Sequence, residues 1–296
     1  MAKSVSPKQL ARAIGVSESS IKRWCDNGVI HTSYTPGGHR KIEIDQVLQF
    51  LRNTKHAITD PEILGLPSML GKQTWSTQEA VDQLQDSLLD NNEELALTII
   101  MALFLSETPI SVLFDEIIST VFERIGNEWD CQNVEIYQER QACQICRRTL
   151  ERFRALLPNN KIQLVAKGGT LSGDHYELPT LMVEITLNAM GWNAYSLGTN
   201  IPASSIIASA LEEKTDLLWI SVSHIENCDR FITEMRDLWI NRPNQIPLVI
   251  GGNAFTPDLR REVPHSIYCD SIFQLQNFMQ SYPTPATVNR TTPSKN

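Results

Sequence analysis

The chain has 296 residues, 42% hydrophobic and 20% charged, with a formal net charge of −8. That length allows two or three domains, and the ordinary composition excludes collagen-like, disulfide-scaffold and wholly disordered classes. The longest apolar run, Leu97–Leu105, is too short for a membrane span, and the N-terminus lacks the apolar core of a signal peptide, so a cytoplasmic protein without a membrane partner is expected. Six cysteines suit reduced thiols better than a disulfide framework. The charge is unevenly spread. Residues 1–56 carry nine Lys/Arg against four acids, or +5, which leaves −13 for the rest. A basic head on an acidic body is the split expected when one end meets a polyanion.

Residues 4–56 come first and hold short helical patterns around a Gly/Pro-rich hairpin. Ser6-Pro7 opens a helix with a hydroxyl cap and proline at the first position. Gly15 breaks it, and Ser17 caps a second helix that Gly28 ends. Ala11, Gly15 and Ile21 have the spacing of a helix-turn-helix: a close crossing, a turn, and a branched residue locked into the core. Ser17, Ser19, Ser20, Lys22 and Arg23 are left outward as a recognition surface. Val29-Ile30 is expected to pair with Lys41–Ile44 around Tyr34-Thr35-Pro36-Gly37-Gly38-His39-Arg40. That hairpin would offer Tyr34, His39, Arg40 and Lys41 to phosphates or a minor groove. Asp45 is expected to cap a third helix, Gln46–Arg52, and Pro61 excludes its continuation as a long coiled coil.

Residues 57–73, with two prolines and two glycines, read as a linker. Residues 74–157 read as a helical bundle, broken only near Glu107–Pro109 and Asp130–Asn133. Residues 161–282 alternate strands (Ile162–Ala166, Asn193–Leu197, Leu217–Val222, Pro247–Ile250, Ile267–Cys269) with helices. Alternation of this kind implies a five-stranded parallel, doubly wound sheet of flavodoxin-like class, with ligands beyond the carboxyl ends of its strands. Small polar residues cluster there: Gly168–Asp174, Gly198-Thr199-Asn200, Ser221, Ser223 and Gly251-Gly252. Together they would leave room for a buried, elongated polar ligand. Residues 283–296 are polar and proline-rich, and read as a disordered tail.

SPKQLARAIGVSESSIKRWCDNGVI followed by TPGGHRKI resembles the MerR/excisionase-type winged helix-turn-helix. LFDEIISTVFERIGNEW, LMVEITLNAMGWNAYSLGTNIP, SVS and GGNAF resemble the cobalamin-binding module, a four-helix cap followed by a flavodoxin-like domain. The whole chain is thus similar to the cobalamin-linked MerR-type regulators, some of them light-responsive. The resemblance implies a non-enzymatic transcriptional regulator that binds a double-stranded DNA operator and forms a homo-oligomer through its C-terminal module.

The module's Asp-x-His-x-x-Gly signature, whose histidine binds cobalt, reads here Asp174-His175-Tyr176-Glu177-Leu178-Pro179. Tyr176 stands at the histidine position, and a phenol is a poor substitute for an imidazole. In the cap, light-responsive members carry Trp, nine residues, then Glu-His; here Trp129 is followed by Glu139 and Arg140, a cation that ligates no metal but suits an anion. Cobalamin held through a histidine is therefore not expected, and no metal site is assigned. Three alternatives stay open: cobalamin bound base-on or through His175, another small molecule anchored by Arg140, and a corrinoid methyl-transfer subunit. Cys143-x-x-Cys146 lies inside a helix without a second ligand pair and reads as buried thiols. His224, beside Ser223, serves either the loop or a ligand. Gly168-Gly169-x3-Gly173 lacks the residues of a P-loop or a dinucleotide fingerprint.

Overall fold

The computed structural model describes residues 4–131, 134–157 and 164–282, with the side chains of Trp129 and Asp130 outside that set. The chain divides into two compact units, Met1–Asn159 and Asn160–Asn296.

The first unit opens with β1 (Ser4–Val5), α1 (Pro7–Ala13), α2 (Glu18–Asp26), β2 (Ser33–Tyr34), β3 (Arg40–Glu43) and α3 (Ile44–Thr54). Ser6 and Gln9 form a reciprocal capping box on α1, and Ser17 accepts the Ser20 amide at the start of α2. Gly15 supplies the left-handed turn between them at φ +70. Leu10, Ile21, Ile42, Val47 and Leu48 are wholly buried beneath these elements.

Two sequence expectations change here. The hairpin partner of β3 is Ser33–Tyr34, not Val29-Ile30, and β1 covers the other edge. The amides of Val29 and Ile30 instead close on the Trp24 carbonyl at the end of α2, which drops the Ile30 side chain into the core. The cap of α3 is Glu43, without a side-chain hydrogen bond; Asp45 lies in the first turn and accepts the amide of Gln46.

Residues 57–73 pack against α1: the amides of Thr59 and Asp60 donate to Ala13 O, and Pro61, Leu64, Leu66 and Leu70 are buried. The helical segment follows as α4 (Thr77–Leu89), α5 (Glu93–Leu105), a π-helical stretch Val112–Ile118 running into α6 (Ser119–Asp130), and α7 (Ile136–Arg154). It has one more break than expected, at Asp90–Asn92. There Asn91 adopts φ +60, and Asn92 accepts the Leu95 amide to start α5. Arg52 of α3 donates to Phe104 O at 2.8 Å and lies 4.3 Å from the Phe104 ring centroid. It shares that carbonyl with the Glu107 amide, adding a cation at the C-terminal end of α5.

The second unit comprises β4 (Val165–Gly169), α8 (Glu177–Ala189), β5 (Asn193–Ser196), α9 (Ala203–Glu212), β6 (Leu217–Ser221), α10 (Cys228–Asn241), β7 (Leu248–Gly251), α11 (Pro257–Glu262), β8 (Ile267–Cys269) and α12 (Ile272–Ser281). Its strands form one parallel sheet in the order β5-β4-β6-β7-β8. This is the flavodoxin-like order, with its switch point between β4 and β6. Among the described residues the first strand runs Val165–Gly169, so Gly168 and Gly169 belong to it rather than to the loop beyond. Ile162 and Gln163 lie outside the described residues, as does the stretch 283–296. Lys167 is buried on β4, where its ammonium donates to Ser209 O at 2.7 Å and pairs with Glu213. Among the described residues, no helix is long and apolar enough to cross a membrane.

Candidate functional site

The exposed face of α2 follows from its helical period. Ile21 points into the core, so Ser19, Lys22 and Arg23 point to solvent. Ser17, Ser19 and Ser20 form a hydroxyl cluster at the N-terminus of α2, each Oγ–Oγ separation from Ser17 being 2.9 Å. Lys22 makes a surface ion pair with Glu18 one turn earlier, at 2.8 Å. Such an exposed pair is weak and open to exchange for another anion.

In the hairpin, the amide of Thr35 donates to His39 O and that of Gly38 to Thr35 O, with His39 exposed at the turn. Side chains alternate along β3, so Lys41 and Glu43 face solvent while Arg40 shares the inward side of Ile42. Arg40 is therefore not free at the tip, as the sequence reading supposed. Its guanidinium donates to Asp26 Oδ1 at 2.6 Å, to Tyr34 Oη at 2.8 Å and to Lys22 O at 3.1 Å. The Tyr34 hydroxyl and the Asp26 carboxylate both hold its pKa above the ordinary arginine value. Tyr34 lies directly opposite Arg40 across the strand pair and keeps its ring exposed.

At the carboxyl ends of the sheet, Asp174 is the organising residue. It is 3% exposed, and its carboxylate accepts amides from Ser223 at 2.7 Å, His224 at 3.2 Å and Tyr176 at 3.0 Å. Its carbonyl accepts the Thr170 hydroxyl and the Asn200 amide. One buried carboxylate thus ties the loop after β4 to the loop after β6 across the switch point, while the Asp174 backbone engages the loop after β5. A buried carboxylate is tolerable because its acceptor sites are filled in this way.

Part of the expected room for an elongated ligand is filled, as four of the glycines show, whereas a Cβ on Gly198 in the loop after β5 would meet nothing within 4 Å. A Cβ on Gly168 would lie 2.2 Å from Trp219, whose indole fills that space and donates from Nε1 to Thr180 Oγ1 at 3.0 Å. A Cβ on Gly169 would meet Gly198 O at 2.5 Å, on Gly251 Cys269 O at 2.5 Å, and on Gly252 Val222 O at 2.2 Å. These small residues serve close packing of strand on strand and loop on strand. Ser221 is buried among them, and the Ser223 amide is committed to Asp174. His175, Tyr176 and His224 stand exposed on the rim, with the Tyr176 and His224 ring centroids 6.5 Å apart. Tyr176 caps α8, which starts at Glu177, two residues ahead of Pro179.

In the first unit, Trp129 lies on α6, its side chain outside the described residues. Glu139 on α7 accepts the Cys143 thiol at 3.4 Å and pairs with Arg140 at 3.4 Å, Arg140 being largely exposed. Burial pushes the Cys143 thiol up to about 12 and raises that of Cys146 as well, which keeps both protonated and unreactive. All six cysteines are free thiols. No group of three or more His, Cys, Asp or Glu suited to a metal occurs among the described residues.

No protein-family model matches the chain. The solved structure of the monomethylamine corrinoid protein of Methanosarcina barkeri aligns with a TM-score of 0.58 at 16% identity, covering 69% of this chain and 98% of that one. The likeness establishes a shared fold. Two further structures align at a TM-score of 0.36. One is a cobalamin-binding protein from Desulfitobacterium hafniense DCB-2, at 13% identity over 70% of this chain and 98% of that one. The other is the methanol:cobalamin methyltransferase complex of Methanosarcina barkeri, at 14% identity over 78% and 91%.

A chain with a corrinoid protein's fold invites a test of its residues against a corrinoid. The loop after β4 offers Tyr176 and an exposed His175, its aspartate is already bonded to three amides, and Trp219 fills the space beside Gly168. With Tyr176 two residues after Asp174, these residues do not fit a corrinoid ligated by a histidine at that position, and His175 is the histidine this loop exposes.

Proposed function

We propose that the chain is a sequence-specific DNA-binding transcriptional regulator of winged helix-turn-helix type, not an enzyme. Its corrinoid-protein-like body serves oligomerisation or ligand sensing, without histidine-ligated cobalamin. The observation that carries this reading is the exposed face of α2, where Ser19, Lys22 and Arg23 stand together on a head of net charge +5. A solvent-facing helix of that character is suited to a major groove, and the hairpin bearing Lys41 and His39 to the flanking phosphates.

The test is anisotropy with the full chain and a labelled duplex that it selects from random sequence. Binding should be tighter than to a scrambled duplex, fall steeply as salt rises, and need no added cobalamin. Equal affinity for both duplexes overturns sequence-specific reading. A requirement for cobalamin favours a second reading, a cobalamin-responsive regulator that holds the cofactor base-on. The corrinoid-protein fold supports that version, and colour retained after mixing with hydroxocobalamin and desalting would establish it.

A further inference from the structure

The sequence places Arg40 in the part of the hairpin where a cation is most readily read as a phosphate contact. Its surroundings say otherwise. The guanidinium reaches back to α2, where it meets Lys22 O and the Asp26 carboxylate, and it holds the Tyr34 hydroxyl from the neighbouring strand. Only 18% of its side chain is exposed, against 56% for Lys22. Three partners from two elements occupy one planar fork of donors, a geometry that arginine satisfies and lysine does not.

We infer that Arg40 is a positioning residue: it clamps the hairpin to the C-terminal turn of α2 and sets the angle between the two surfaces that meet DNA. The inference rests on the DNA-binding reading above. Tyr34 and Asp26 belong to the same device, so the contacts to phosphate fall to Lys22, Arg23, Lys41 and His39. Asp26 thereby has a function that charge alone would not suggest. An acid beside a phosphate-binding surface opposes binding, yet here it anchors the residue that orients that surface.

That opposition of signs makes the test sharp. If Arg40 clamps, Asp26→Ala weakens binding of the full chain to its selected duplex about tenfold, although it removes a negative charge. Arg40→Ala gives a similar loss, the double variant loses no more than either single one, and Arg40→Lys fails to rescue. Hydrogen exchange supplies a readout that needs no DNA. The amides of Thr35 and Gly38, bonded within the hairpin, should exchange faster in both single variants than in the unaltered chain. Unchanged exchange, or binding by Asp26→Ala as tight as that of the unaltered chain, overturns the inference. Rescue by Arg40→Lys overturns it too, since a phosphate contact needs only the charge. If the unaltered chain binds no duplex, the regulator reading fails, and exchange alone still decides whether the clamp exists.

Discussion

In residues 4–56 the cations Lys22, Arg23 and Lys41 stand in solvent with at most a weak surface partner, whereas in residues 164–282 the central polar groups of the sheet and its loops are buried and spoken for. Asp174 accepts three amides, the Trp219 indole is matched to Thr180, and Lys167 is fixed on Ser209 and Glu213. The first region resembles a surface prepared for an anion that arrives from outside. The second resembles a site shape whose interior contacts have been completed by the chain itself. Polar residues in a loop therefore signal a ligand only where the fold leaves them without partners.

Three substitutions test that contrast, beginning where the effect is greatest. Asp174→Ala strands the amides of Tyr176, Ser223 and His224 in a part-buried loop cluster, and should cost about 3 kcal/mol in urea unfolding. If the loops are instead held apart to receive a ligand, the loss will be below about 1 kcal/mol. Gly168→Ala forces a methyl into the Trp219 ring and backbone, where neither neighbour is a flexible side-chain end, and should cost about 3 kcal/mol by the same measurement. A neutral result would mean that open space lies beside β4 after all.

Lys22→Ala, Arg23→Ala and Lys41→Ala should each leave stability within about 0.5 kcal/mol of the unaltered chain, because their side chains are exposed. Each should nonetheless reduce the slope of log affinity against log salt by about 0.9 for every phosphate contact removed. A cation whose loss leaves that slope unchanged does not meet the backbone.

Much of the architecture was legible beforehand because it is written in short-range signals. The caps Ser6 and Ser17, the positive-φ Gly15 and Gly28, and the final strand Ile267–Cys269 follow from spacing over a few residues. The parallel, flavodoxin-like sheet follows from the alternation of strand and helix. One missed signal was also local. Strand alternation beside the core residue Ile42 places Arg40 inward and Lys41 outward, a pattern that distinguishes the clamp from the contact.

By itself, then, the sequence determined the kinds and order of most elements, the charge of +5 carried by residues 1–56, and a tyrosine, Tyr176, in the loop after β4. Tertiary structure alone decided which polar groups were free. Asp174 meets amides 49 and 50 positions away, Arg40 finds Asp26 14 positions back, and Trp219 comes from another strand to lie against Gly168. Partnerships of that range depend on how closely folded elements approach, which local periodicity does not encode. Several of the small and polar residues that spell an open crevice along the chain, Gly168, Gly169, Gly251 and Gly252 among them, become close contacts once the strands are paired.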